Sequence, residues 1–161
     1  MTEALVVAAE EAEVVELAHG GAFRLLVDGD TTAGALGANR LTLPAGADGA
    51  RPHRHERSAE LFHVLGGRME FLLGERSVTV GEGGLVVVPP GLVHAFGAAP
   101  GTGADVLVVM APSVERFGYF RHLGRVSQGL EPPESLLPEQ GRYDVHFVEG
   151  TRWAELRGRN A

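Results

Sequence analysis

His53-Arg54-His55-Glu56-Arg57-Ser58-Ala59-Glu60-Leu61-Phe62-His63-Val64-Leu65-Gly66-Gly67 is the stretch that decides how this chain is read. His53 and His55 stand two apart, so on extended backbone both imidazoles project to one face. Imidazole nitrogen suits first-row transition metals, and a carboxylate completes such sites. Glu60 opens an apolar run. With Glu60 facing inward, alternation turns Phe62 and Val64 inward and Leu61, His63 and Leu65 outward. Glu56 is a rival carboxylate, but its parity on a regular strand is wrong. Further along, His94 follows a Pro89-Pro90-Gly91 turn and shares its face with Phe96. Three imidazoles and one carboxylate around an octahedral ion leave up to two positions for substrate or dioxygen.

Outward from this stretch, short apolar runs alternate with turn residues. Strands are expected at Phe23–Val27, Leu36–Leu43, Leu61–Leu65, Met69–Leu73, Ser77–Val80, Leu85–Val88, Val93–Phe96 and Val106–Met110. Turns are expected at Asp28-Gly29, Gly66-Gly67, Gly74-Glu75 and Pro89 to Gly91. After Pro112 the pattern changes. Ser113 is placed to cap a helix over Ser113–Leu123, with Phe117 and Phe120 on one face and Gly124 ending it. Residues Gly129 to Gly141 read as a loop or broken helical turn, Tyr143–Val148 as a last edge strand, and Arg157 to Ala161 as a frayed end. The whole, residues 1–161, reads as one domain.

Composition narrows the chemistry. The chain has no cysteine, and all 14 basic residues are arginine. Disulfides, thiolate nucleophiles, Cys-ligated zinc, iron–sulfur clusters, Schiff-base lysines and P-loop lysines are therefore excluded. A formal net charge of -7 argues against nucleic acid and against an anionic membrane surface. Glu3, Glu10, Glu11, Glu13 and Glu16, with no basic residue among them, do not make a signal peptide. A soluble cytoplasmic protein is expected, and the Lys-free, Ala/Gly/Val/Arg-rich composition points to a bacterial source. Leu5–Ala9 and Val14–Ala18 are more strand than a lone barrel needs, so a homodimer is expected through this edge.

The stretch His53 to Gly67, together with Gly83, Pro89, Gly91 and His94, resembles the two motifs of the cupin superfamily. The leading glycine of the first motif is replaced by Ala47, between Gly46 and Gly49. Ala98 stands where the second motif usually has asparagine. The short interval 68–82 is that of compact single-domain cupins, and the resemblance covers residues 36 to 110. It implies an all-β fold, a double-stranded β-helix or jelly-roll cupin barrel with a short C-terminal helical extension. The barrel core would run over about 20–111, with helix and tail over about 112–161. It also implies His53, His55, Glu60 and His94 as ligands of one divalent transition metal ion: Fe, Mn, Co, Ni, Cu or Zn. The tail from Val114 to Gly124, with Tyr143 to Phe147, is similar to the extension of small bacterial quercetin-dioxygenase-like cupins, where a helix helps cover the cavity mouth.

By parity, Phe62, Val64, Met69, Phe71, Leu73 and Phe96 face the barrel interior, with Phe117 and Phe120 capping it. The expected substrate pocket is Phe62, Val64, Met69, Phe71, Phe96, Phe117 and Phe120, which suits a largely apolar or aromatic small molecule. Helix parity turns Tyr119 to the surface. His19, His122 and His146 read as surface residues. Arg51, Arg54 and Arg57 read as solvated charges, although one of them could hold a substrate carboxylate. The leading functional expectation is a metal-dependent oxygenase acting on an aromatic or enol-bearing compound, with Glu60 as ligand and proton acceptor. The alternatives are a redox-neutral isomerase, cyclase or lyase, and a non-catalytic small-molecule-binding protein.

Overall fold

The computed structural model describes residues 2–158. The alternating runs form β1 (Glu13–Glu16), β2 (Ala22–Val27), β3 (Gly37–Leu43), β4 (Asp48–Arg54), β5 (Ala59–Leu73), β6 (Arg76–Gly81), β7 (Leu85–Val88), β8 (His94–Ala98) and β9 (Ala104–Ala111). Helix α1 (Phe117–Ser127), a 3-10 turn at Pro133–Glu139, α2 (Gln140–Tyr143), β10 (His146–Phe147) and α3 (Trp153–Leu156) follow. The strands curl into a jelly-roll of two antiparallel sheets that share β5. The first half of β5 pairs with β7 and β9, and β9 leads through β3 and β2 to β1. The second half pairs with β6 and β8, and β8 leads through β4 to β10.

Gly66-Gly67 was expected to reverse the chain, and it does not. The strand runs through it, with a register shift between Val64 and Gly66. Gly67 has φ +70°, and a Cβ there would lie 1.8 Å from the Gly103 carbonyl oxygen, so only glycine crosses this point. The shift reverses the alternation: Glu60, Phe62 and Val64 are buried before it, Met69 and Phe71 after it. Both sets therefore face one core, with Phe23 and Leu41 from the first sheet and Phe96 from the second. Phe62, Val64, Met69 and Phe71 are all 0% exposed, and each such side chain contributes about 1.5–3 kcal/mol of burial.

The ends of the chain depart further from expectation. Val14 and Val15 lie in β1, an edge strand, but Leu5–Ala9 is not a strand and leads into a 3-10 turn at Ala9–Glu11. Helix α1 starts four residues later than the Ser113 reading. The Ser113 hydroxyl donates to the Val114 carbonyl instead, and the cap is Asp28, whose carboxylate accepts the N–H of Arg116 at 2.6 Å and of Phe117 at 3.3 Å. Gly124 does not end the helix. It sits inside, where a Cβ would meet Val15 Cγ1 at 2.5 Å. The end comes at Gly129 (φ +75°), where Gly129 N–H donates to Val126 O and Leu130 N–H to Arg125 O.

Of the strand expected over Tyr143–Val148, only His146–Phe147 pairs, with β4. Arg157 is not frayed. Its side chain is 3% exposed and bonds Asp48 and Glu70, while Trp153 packs on Leu72 and Ala95. The remainder of the tail expected to fray, 159–161, lies outside the described residues. No helix among the described residues is long and apolar enough to cross a membrane.

Candidate metal centre

The strands bring four donors to one point. His53 and His94 are directly paired across the β4–β8 ladder, His55 follows β4, and Glu60 is the second residue of β5. One ligand atom from each lies within 4.8 Å of the others. All four residues are buried, His94 completely. Glu60 Oε2 stands 2.8 Å from both His55 Nε2 and His94 Nε2.

Each imidazole is aimed by its other nitrogen. His53 Nδ1 donates to Arg51 O at 2.7 Å, His94 Nδ1 to Leu92 O at 3.0 Å, and His55 Nδ1 to Asp144 O at 2.6 Å. A carbonyl only accepts, so each Nδ1 carries the proton and each Nε2 offers a lone pair to the common point. Two bare nitrogens this close to a carboxylate oxygen need a proton or a cation between them. A divalent ion satisfies all four donors at once, and this nitrogen and oxygen set fits a first-row transition metal. Burial, then the neighbouring His94 and His55, push the His53 pKa well down and keep that ring neutral. Burial alone would raise the Glu60 pKa, but with protons on His55 and His94 standing in the ion's place, their charges and hydrogen bonds outweigh it and hold the carboxyl well below its usual range.

Beside the donors lies a small hollow of about 40 Å³. Its polar lining is His53, Glu60, Asn39, Arg116 and Tyr119, and its apolar wall includes Phe23, Leu41, Phe96 and Phe120. Of the residues expected in a pocket, Phe96 and Phe120 are therefore here. Phe62, Val64, Met69 and Phe71 are core residues behind the wall, with Phe62 stacked edge-on to Phe96. Phe117 lies elsewhere, half-buried in an outer hollow with Asp28 and Arg121.

Tyr119 is not a surface residue: it is 8% exposed and lines the cavity. Burial pushes its pKa up to about 12, with Arg116 opposing. Sequence reasoning also missed Arg116, Asn39 and Asp144. Asp144 is a clasp. Its carbonyl holds His55, and its carboxylate accepts the N–H groups of Glu56 and Arg57 at 2.8 and 3.0 Å. Its φ of 54°, which aspartate tolerates, is visible only in the structure, and no sequence signal marked this residue. Glu56 is exposed and lies with Asp144 and His146 outside the centre. His122 is buried against Ser135 rather than exposed, and His146 is half-buried, whereas His19 is exposed.

Residues 39–111 match the sequence profile of the cupin domain. No curated protein sequence matches the chain. Among solved structures, the fold is similar to KdgF from a Halomonas species, with 21% identity and a TM-score of 0.59 over 68% of this chain and 94% of that one. It is similar to the polyketide cyclase RemF from Streptomyces resistomycificus, with 23% identity and a TM-score of 0.56 over 69% and 81% of the two chains. It is also similar to the Streptomyces nucleoside dehydratase Pac13, with 20% identity and a TM-score of 0.54 over 71% and 87%. At these identities the likeness is one of fold.

Proposed function

Over residues 39–111 this chain is a cupin, and from that premise we propose that it is a metal-dependent enzyme moving a proton on a small molecule without net oxidation, as an isomerase, cyclase or lyase. The observation that carries this reading is the meeting of Tyr119 and Arg116 with His53 and Glu60 in one cavity. The sequence offered no second acid–base group on the inward faces, and that absence favoured an oxygenase. Tyr119 now supplies the group. A divalent metal bound by His53, His55, Glu60 and His94 would act as a Lewis acid on a substrate oxygen.

The chain's own residues divide the remaining work. Both imidazole contacts of Glu60 use Oε2, which leaves Oε1 to accept a proton from the substrate. Tyr119, protonated up to about pH 12, returns a proton at its hydroxyl. The apolar wall excludes water, and α1 covers the cavity. A cyclase and a dehydratase among the structural relatives show that this fold hosts such chemistry.

The test is solvent-deuterium exchange by NMR into small enolisable ketones, keto acids and hydroxy acids under nitrogen, with the metal quantified in the same sample. Oxygen-independent exchange or elimination that is lost in Tyr119→Phe and Glu60→Gln is expected. Turnover that consumes dioxygen stoichiometrically would overturn the reading. It would favour the oxygenase, for which the specific support is the aromatic wall of Phe23, Phe96 and Phe120. Ligand binding without turnover in either atmosphere would make this a binding protein. A homodimer remains part of the proposal: β1 is a sheet edge, with Val6 and Val14 exposed near it. Light scattering on the eluted protein decides that point.

A further inference from the structure

We propose that Arg116 is the anchor for a carboxylate on the substrate, so that the cavity takes small organic anions rather than neutral compounds. The inference rests on reading this cavity as the substrate site. Arg116 is 6% exposed and lines the cavity with Glu60 and His53. Its Nη1 donates to Tyr143 O at 2.8 Å, while its Nε is buried with no partner. Among the described residues no carboxylate stands within ion-pair distance of its guanidinium. Glu60 is the one carboxylate in the cavity lining, and it is committed to His55 and His94.

A guanidinium buried without a counter-ion is costly, and an unsatisfied donor on it adds to the cost. A ligand carboxylate removes both penalties, because the planar fork of arginine matches it. The fork is also held ready. Its Cζ lies 5.1 Å from the Tyr119 ring centre and 5.5 Å from that of Phe120, and the Arg116 N–H is fixed by Asp28. With a divalent ion at the four donors, the single carboxylate of Glu60 leaves the cavity positively charged, which again favours an anion.

The arginines nearest the histidines in sequence do not compete for this role. Arg51 stacks on Phe147, Arg54 pairs with Glu56 at the surface, and Arg57 stands beside Asp144. The substrate class is therefore a carboxylate with an apolar or aromatic body and an oxygen that reaches toward His53 and Glu60.

The test is calorimetric titration of the metal-loaded full chain with benzoate and with its uncharged isostere benzamide. Benzoate should bind at least about tenfold more tightly, as a charge-assisted bidentate contact requires. In Arg116→Gln the two ligands should become nearly equal, through loss of benzoate affinity. Arg116→Lys should keep the preference at reduced affinity, and should the glutamine variant fail to fold, that variant and the wild-type ratio carry the test.

Equal binding of the two ligands by the wild type, no binding of either at millimolar concentration, or a preference that survives in folded Arg116→Gln overturns the proposal. The last outcome would mean that the metal alone senses the charge. Failure here is separable from failure of the proposed function. A protein that holds metal and turns over a neutral ketone, yet ignores the charge of benzoate, loses only the anchor. Arg116-dependent benzoate binding after chelation, without turnover under any condition, loses only the enzyme.

Discussion

The floor of the cavity and its roof are built in different ways. The floor belongs to β4, β5 and β8, where strand parity and the direct pairing of His53 with His94 place the donors. Two of its three imidazoles lean on carbonyls only two residues back, Arg51 and Leu92. The roof, α1 and the segment after it, depends on long-range contacts. Asp28 caps α1 from 88 residues away, and Asp144 holds His55 from 89 residues away. The donor set thus follows from strand alternation and ladder pairing within the barrel, whereas the groups that would meet a substrate are set by where the segments after it dock.

Four substitutions and one titration would break or sharpen this contrast. The largest effect belongs to the floor. His94→Ala should lower metal affinity by more than about a hundredfold, since outer partners of a ligand alone are worth about 10–100-fold, and elemental analysis after dialysis reads it. Asp144→Ala strikes the link between the two regions. It removes two N–H bonds to a buried carboxylate and puts alanine at a φ of 54°. A loss of about 3 kcal/mol in urea unfolding is expected, with weaker metal retention. Unchanged metal retention would show that the floor stands without the roof.

Arg157→Ala tests support from outside the barrel. Its side chain is 3% exposed, but its partners Asp48 and Glu70 are 30% and 27% exposed. The expected loss is about 2 kcal/mol, below that of a fully buried pair, with metal content unchanged. Asp28→Ala removes the cap of α1 and should cost about 1–2 kcal/mol, read as a lower thermal midpoint while the donors still take metal.

The smallest effect is one of pH. Tyr119 keeps its proton to about 12 in the folded chain, against 10.0 for an ordinary tyrosine. Between those values only the unfolded chain sheds the proton, so stability falls as pH rises through the interval. Urea midpoints there should fall more steeply in the wild type than in Tyr119→Phe, which has no phenolic proton to lose.

The legible and illegible features divide along the same line. Glu60, Phe62 and Val64 were readable as inward-facing because alternation is a local property of extended backbone. The reversal at Gly66 was not, because it depends on Gly67 passing within reach of the Gly103 carbonyl. Helical spacing put Phe117 and Phe120 on one inward face. The structure turns that face toward Tyr119 and Phe120, because α1 begins under Asp28 and lies with Gly124 against Val15 and Gly118 against Tyr143. A Cβ on Gly118 would meet the Tyr143 hydroxyl oxygen at 2.6 Å, so these two glycines set how closely the roof can seat. Nothing near them in sequence names their partners.

By itself, then, the sequence determined a run of short strands and a set of three histidines and one glutamate able to share an ion, while the jelly-roll was what its resemblance to the cupin motifs implied. A pleated strand sends alternate side chains to opposite faces whatever lies beyond it. Only the tertiary structure decided that an arginine and a protonated tyrosine share the cavity with that set. The face that a helix buries is chosen by the surfaces it docks against, and here those surfaces come from β1, the end of β2 and the segment around Tyr143.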